Sequence, residues 1–297
     1  MTVHLETLFN GLSGGSILVL IALGLTFAFG QMGIINMAHG EFIMAGAFTP
    51  YVLQTTIMTG ALSAAFVVAL PVAFVVSGLI GLVMYRLVLR KMMDRPLDTL
   101  LVTFGFALLL QQAARDRFGA PNVNVARPTW LRGNWQLLGV TMPFSRLFIM
   151  ALAAVVMAAV WTFMTYLPAG RRMRAVMANR DLAAVSGLAT RRVDAVTFFL
   201  AAGLAGVAGV AISLVGSIGF AIGTTYVIDA FLVVIVGGLG KLRGAVIAAL
   251  GLGVLNAYAE NLTTASLGKA LVLIGVVIVL QFRPNGLVTF RRRGLAA

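Results

Sequence analysis

Asn36, His39 and Glu41 fall within the twelve-residue stretch QMGIINMAHGEF, Gln31 to Phe42, at the start of the second long apolar run of the chain. An ionisable group held at the centre of a membrane helix costs about 2.5–3.5 kcal/mol, so such groups mark transport pathways and relays. The same three residues also read as helix furniture. Asn36 can cap a helix by accepting from the His39 N–H, and Glu41 then sits near the positive end of the helix dipole. Cap-and-hinge and pathway lining both remain open, and they can coexist, because helix ends at discontinuities line transport pathways.

Other polar groups are scattered through the apolar runs: Thr103, Gln111, Gln112, Asp229, Asn256, Glu260 and Gln281. Interhelical hydrogen bonds, often below about 1 kcal/mol each, account for most of them. Glu260, Gln111 and Gln112 read as wetted span ends, whereas Asp229 is the least accommodated. The candidate pathway or hinge set is therefore Asn36, His39, Glu41, Thr103, Asp229 and Asn256.

Catalytic and cofactor chemistry finds little footing. The only histidines are His4 and His39, HExxH does not occur, and there is no cysteine. No catalytic residue, metal ligand set or cofactor is expected in this chain. The stretch VGGLGKLRG imitates a phosphate-binding loop, but that motif needs a glycine where Ile235 stands and Ser or Thr where Leu242 stands. An ATP site of its own is not expected.

A different kind of site lies in GRRMRAVMANRDLAAVSGLATRRVD, Gly170 to Asp194. It carries Arg171, Arg172, Arg174, Arg180, Arg191 and Arg192. A short helix is legible within it. Asn179 suits the N-cap, Asp181 the first turn, and Gly187 the C′ position. Between them Leu182, Ala183, Ala184 and Val185 give an apolar surface on about two turns, roughly 10 Å long. That is too short to span a membrane and suits a docking element facing the cytosol.

The elements that position these residues follow from composition. The chain has 297 residues, 60% hydrophobic and 10% charged, with a mean hydropathy of +1.01. A soluble domain of this size needs more charge to solvate its surface. Apolar runs at 8–29, 34–57, 62–85, 97–114, 146–167, 194–215, 226–240, 244–260 and 267–282 read as spans. The fold class is all-α: one polytopic transmembrane bundle over residues 1–297, with about eight to nine spans and a short cytosolic helix. The uncharged stretch Ala195–Ile228 is too long for one helix and is expected to break at Gly216, Gly219 and Gly223. The 226–240 run is short and reads as tilted or partly re-entrant. Clustered glycines, such as Gly11, Gly14 and Gly15 or Gly203, Gly206 and Gly209, read as close helix packing.

The net charge of +13 invites a nucleic-acid reading, but the cations cluster between apolar runs, as the positive-inside rule expects. The opening MTVHLETLFN has no Lys or Arg, so the first run reads as a retained span rather than a cleaved signal. Placing the carboxyl terminus and loop 170–194 inside puts sixteen of the 22 cations there, Arg291–Arg293 included. Six stay outside: Arg115, Arg117, Arg127, Arg132, Arg146 and Lys269. Loop 115–145 is then the largest exterior feature, with Trp130 and Trp135 read first as interface anchors and otherwise as a ledge for a docking partner.

With these blocks in view, the chain resembles permeases of the branched-chain amino acid and urea-type ABC importer family over nearly its whole length. GSILVLIALGLTFAFGQMGIINMAHGEF resembles the family's amino-terminal signature, and MRAVMANRDLAAVSGL its cytoplasmic loop. GNWQLLGVTMPFSRLFI, YVIDAFLVVIVGGLGKLRGAVIAA and LGKALVLIGVVIVLQFRPNGL look closest to the urea branch. The resemblance implies a permease subunit in a bacterial inner membrane, importing urea or a short amide, with branched-chain amino acids as the alternative solute. A passive urea or amide channel is the reading from another class. It also implies a second, usually non-identical permease, a periplasmic solute-binding protein, and two cytosolic ATPase subunits that hold ATP and magnesium. The helix framed by Asn179, Arg180, Asp181, Leu182, Ala183, Val185 and Gly187 would couple to those ATPases.

Overall fold

The computed structural model describes residues 2–92, 95–137, 139–284 and 286–287; the Arg291–Arg293 cluster and the carboxyl terminus lie outside them. The helices run α1 (Thr2–Met32), α2 (His39–Val52), α3 (Leu62–Leu87), α4 (Pro96–Phe118) and α5 (Phe144–Tyr166). After these come α6 (Pro168–Ala178), α7 (Arg180–Val185), α8 (Thr190–Ile212), α9 (Ile222–Gly237), α10 (Leu242–Leu262) and α11 (Ala265–Phe282). A hairpin of β1 (Asn134–Leu137) and β2 (Val140–Pro143) interrupts loop 115–145. Among the described residues, seven helices are long and apolar enough to cross a membrane; α9 is apolar but shorter.

α1 and α8 form the centre. Within their most apolar windows 78% of residues are buried, against 17% for α5 and α11, whose outer faces are left for lipid or a partner. Small residues let the central helices touch. Gly46 of α2 meets the Gly206 backbone of α8, and Gly15 of α1 meets Leu250 and Gly253 of α10. On α3, Ala65, Ala69, Ala73 and Ser77 form a buried stripe at helical spacing, and the Ser77 hydroxyl donates to the Phe42 carbonyl at 2.9 Å. Without a hydrophobic driving force between helices in lipid, this close approach and its van der Waals contact hold the bundle.

Two ends of the bundle are defined by contacts between loops. At one end Val123 and Ile218 form a β-bridge, and Gln54 both donates to and accepts from Ala126 at 2.9 Å. Tyr258 donates to the His4 carbonyl there as well. At the other end Gly30 packs on Gly240 and Met177, Gln31 reaches Asp194, and Leu287 N donates to Val236 O. Arg115, Arg117, Arg127, Arg132 and Arg146 belong to the hairpin end. The arginines of 171–192 belong to the other.

Three expectations change. The run 34–57 is not helical from its start: α1 stops at Met32, Gly33 takes φ +67°, and residues 33–38 leave the helix before α2 begins at His39. The left-handed Gly33 closes α1 by donating its N–H to Phe29 O at 2.8 Å, a geometry that disfavours any side chain. The polar loop 170–194 contains a helix the sequence reading missed, α6. The break after α8 falls over 213–221, so Gly223 lies inside the first turn of α9 rather than in the turn.

Candidate translocation and coupling sites

Asn36 does not cap α2 in the expected way. Its Oδ1 accepts from Ala38 N at 3.1 Å, while the His39 N–H bonds the Asn36 backbone carbonyl at 3.3 Å. The side chain therefore shapes the turn that starts the helix. His39 is fully buried, and its Nε2 lies 3.3 Å from Ile21 O, in the interior of α1. Thr103 of α4 accepts from Met37 N at 3.2 Å, which ties the break to α4.

Glu41 is buried, and its Oε1 accepts from Gln111 Nε2 at 2.7 Å; Gln111 also donates to Thr224 Oγ1 on α9 at 3.1 Å. Gln111, expected as a wetted span end, is half-exposed and in addition bridges α2 and α9. Those two helices meet at their first turns, because the Gly40 and Gly223 backbones touch directly. From that junction α2 runs to the hairpin end, where Gln54 clamps Ala126, and α9 runs to the other end, where Gly240 meets Gly30. Both positive helix ends thus converge inside the bundle. Among the described residues, Asn36 Nδ2, His39 Nδ1 and Glu41 Oε2 around this junction have no hydrogen-bond partner.

The other two pathway candidates sit elsewhere. Asp229 and Asn256 line a cavity of about 490 Å³ walled by α1, α9 and α10. Asp229 Oδ2 lies 3.5 Å from Lys269 Nζ of α11, and Asn256 donates to Glu260 at 2.8 Å. The six candidates therefore divide into a helix junction and a separate cavity. Arg146 and Tyr226, not singled out from sequence, also line that cavity. Their common location is long-range, and no local spacing announces it.

In loop 170–194, the candidate coupling element, the expected caps are present. Asn179 Oδ1 accepts from Leu182 N at 2.9 Å. Gly187 takes φ +84° and donates to Ala184 O at 3.0 Å, while Leu188 N reaches Ala183 O at 3.1 Å, which closes α7 in a Schellman turn. The seven residues assigned to docking do not share a face. Ala183 is buried, and Arg180 turns back to Asp194 of α8, so both root α7 in the bundle. Leu182 and Val185 point outward, 64% and 87% exposed, with Asp181 exposed beside them. The reason is the helical period: positions 180, 183 and 187 face one way, 182 and 185 the other.

Around Gly240 and Lys241 the glycines serve packing. Gly237 and Gly244 lie backbone to backbone across the turn between α9 and α10, where a methyl at either would collide with the other's carbonyl group.

Residues 7–281 match the family described as branched-chain amino acid transport system / permease component. The chain is 31% identical over 298 residues to the high-affinity branched-chain amino acid transport system permease protein LivH of Escherichia coli K12, covering 96% of this chain and 95% of that protein. It is 28% identical over 295 residues to BraD of Pseudomonas aeruginosa, with the same description, covering 96% and 95%. LivM of Escherichia coli K12 is 25% identical over 304 residues, 93% of this chain and 68% of that protein. No solved structure matches the chain. A profile match over most of the sequence, on a helical bundle with paired helix breaks, makes this chain a member of the branched-chain amino acid transport permease family.

Proposed function

We propose that this chain is one membrane subunit of an ATP-driven importer of branched-chain amino acids in a bacterial cytoplasmic membrane. The family description and the relatives above name that solute class, so it takes precedence over urea or a short amide, the first expectation from sequence. A second permease completes the path, a binding protein delivers solute at the hairpin end, and two ATPase subunits engage the other. The arginine-rich end faces the cytosol, since Lys and Arg are retained on that side.

The observation that carries this reading is the form of α7. A six-residue helix, capped at both ends, presents Leu182 and Val185 to solvent and is rooted through Arg180 to a buried carboxylate. Exposed apolar side chains on a rigid, anchored stub suit insertion into a groove of another protein. The root leads onward, because Asp194 also accepts from Gln31 at the end of α1, two residues before the Gly33 break. Displacement of α7 by ATPase closure then reaches the α2–α9 junction as rigid-body motion about that break. Glu41 acts there as a hinge group rather than a counter-ion, since Gln111 holds it.

The test is reconstitution with candidate partner subunits. The complex is expected to take up leucine only with ATP, and Leu182→Asp is expected to abolish uptake while the protein still inserts and copurifies with its partner permease. Uptake by this chain alone without ATP, or an unchanged rate in Leu182→Asp, would overturn the importer reading.

A further inference from the structure

We propose that the cavity between α1, α5, α9, α10 and α11 is a receiving site for the amino-acid zwitterion, with Arg146 holding the carboxylate and Asp229 and Glu260 facing the ammonium. The proposal rests on the branched-chain reading above.

The cavity lies toward the hairpin end: Arg146 follows β2 directly, and α1 contributes Thr7, from its first two turns. At about 490 Å³ it falls in the ordinary range of small-molecule sites, roughly 300–1,000 Å³. Its charges are arranged unusually for a structural network. Arg146 is half-buried and, among the described residues, has no ion-pair partner within 4 Å, yet Asp229 and Glu260 line the same cavity. Among the described residues, Asp229 takes a single long contact, 3.5 Å, from the half-exposed Lys269, and Glu260 has only the amide of Asn256. A guanidinium more than 4 Å from the carboxylates that share its cavity leaves room for a ligand bearing one charge of each sign. Arginine's planar fork is suited to a carboxylate.

The remaining lining is apolar: Ile17, Leu18, Leu232, Leu252 and Val272 supply a surface for a branched aliphatic side chain. A neutral amide would leave the Arg146 guanidinium without a counter-charge, which is why this cavity fits an amino acid better than urea. A site on a conduit must also release its occupant, so the binding should be weak.

The chain has no cysteine, which permits a clean test. Ala257→Cys places one thiol in the lining without touching the charged groups. In the full complex, reconstituted with cysteine-free partners and without the binding protein, alkylation of that thiol is followed with and without leucine. Leucine is expected to slow labelling several-fold, half-maximally near about 1 mM, an affinity of about −4 kcal/mol. Isoamylamine and isovalerate, each with one charge, and urea are expected to protect at least tenfold less well. Arg146→Gln in the same background should remove the leucine protection, and Arg146→Lys should restore part of it. If the complex imports leucine but leucine gives no protection, or the single-charge analogues or urea protect equally, the site assignment is wrong and the importer reading survives. If the complex, supplied with its binding protein and ATP, does not import leucine at all, the underlying reading fails instead. Should Ala257→Cys not assemble, Leu252→Cys serves in its place.

Discussion

Arg180 of α7 and Asp194 of α8 form a two-point ion pair, Nη1 to Oδ1 at 3.1 Å and Nη2 to Oδ2 at 2.5 Å. The Asp194 side chain is wholly buried, whereas Arg180 keeps 37% of its side-chain surface. Gln31 of α1 donates to the same Oδ1 at 3.1 Å. One carboxylate therefore joins the exposed stub, a central helix of the bundle, and the end of the helix that precedes the Gly33 break. The joint is stiff for a reason of energy: freeing a buried carboxylate from its partner costs roughly 3–5 kcal/mol, so movement of α7 drags the joint rather than tearing it.

Asp194→Asn should uncouple the transporter. ATP hydrolysis by the complex is expected to persist while leucine uptake falls at least tenfold, measured as the uptake-to-hydrolysis ratio in proteoliposomes. Arg180→Met alone strands the carboxylate and should lower thermal stability more than the double change Arg180→Met with Asp194→Leu, because an apolar pair removes both charges together. Stability recovers in the double variant, coupling does not. If all three variants couple normally, the pair has no mechanical role.

The α7 caps make a separate prediction. A helix of six residues has no propagation length in reserve, so its ends decide whether it forms. Asn179→Ala removes a cap worth about 1 kcal/mol, and Gly187→Ala forces a side chain into the left-handed region at about 1–2 kcal/mol. Both should raise hydrogen exchange at the amides of 182–188 and weaken ATPase binding several-fold, with Asn179→Asp retaining most of the wild-type behaviour. Equal exchange in wild type and Asn179→Ala would count against a preformed lever.

How much of this was legible in sequence depends on whether the signal was local. The apolar runs, the caps of α7 and the suspicion attached to Asn36–Glu41 are local, since hydropathy, cap chemistry and charge in an apolar context are read within a few residues. The break at 33–38 was legible only in part: Asn36 marked a helix start, but Ile34, Ile35 and Met37 carry the hydropathy of a span although their backbone is not helical. The dual orientation of α7 escaped because nothing in the loop says that Arg180 has a partner fourteen residues on. Gln111 looked like a span end, and only the meeting of α2, α4 and α9 makes it a bridge. The mixed charge of the cavity needed α5, α9 and α10 to be brought together; read singly, Arg146, Asp229 and Glu260 belong to three unrelated stretches.

The bridge through Gln111 can be tested by subtraction. Gln111→Ala strips Glu41 of the amide that donates to it inside the bundle and frees Thr224. Leaving a buried carboxylate unsatisfied costs at least about 1–3 kcal/mol. Melting of the complex should drop and uptake should fall, while Glu41→Gln with Gln111 intact should preserve melting, since two amides can still pair. If Glu41 were instead a solute counter-ion, Glu41→Gln would abolish leucine uptake at unchanged stability. The ratio of the two effects separates hinge from binding group.

The junction of α2 and α9 yields the sharpest steric prediction. A Cβ at Gly40 would lie 2.5 Å from the Gly223 carbonyl oxygen, and one at Gly223 would collide with the Gly40 carbonyl group. Backbone, unlike a side-chain tip, has nowhere to turn, so alanine at either site must push the two helix starts apart at about 1–3 kcal/mol or more. The same substitution at Gly251 meets nothing within 4 Å and replaces a poor helix former with a good one. Gly40→Ala and Gly223→Ala are therefore expected to lower the melting temperature and cut uptake by more than tenfold, whereas Gly251→Ala should match or slightly exceed the wild type in melting. Because the two alanines would push on the same contact, combining them should cost less than the sum of the single effects in a double-mutant cycle. Additive losses, or full uptake in Gly40→Ala, would mean that the two helix ends move independently and that the junction is not the hinge.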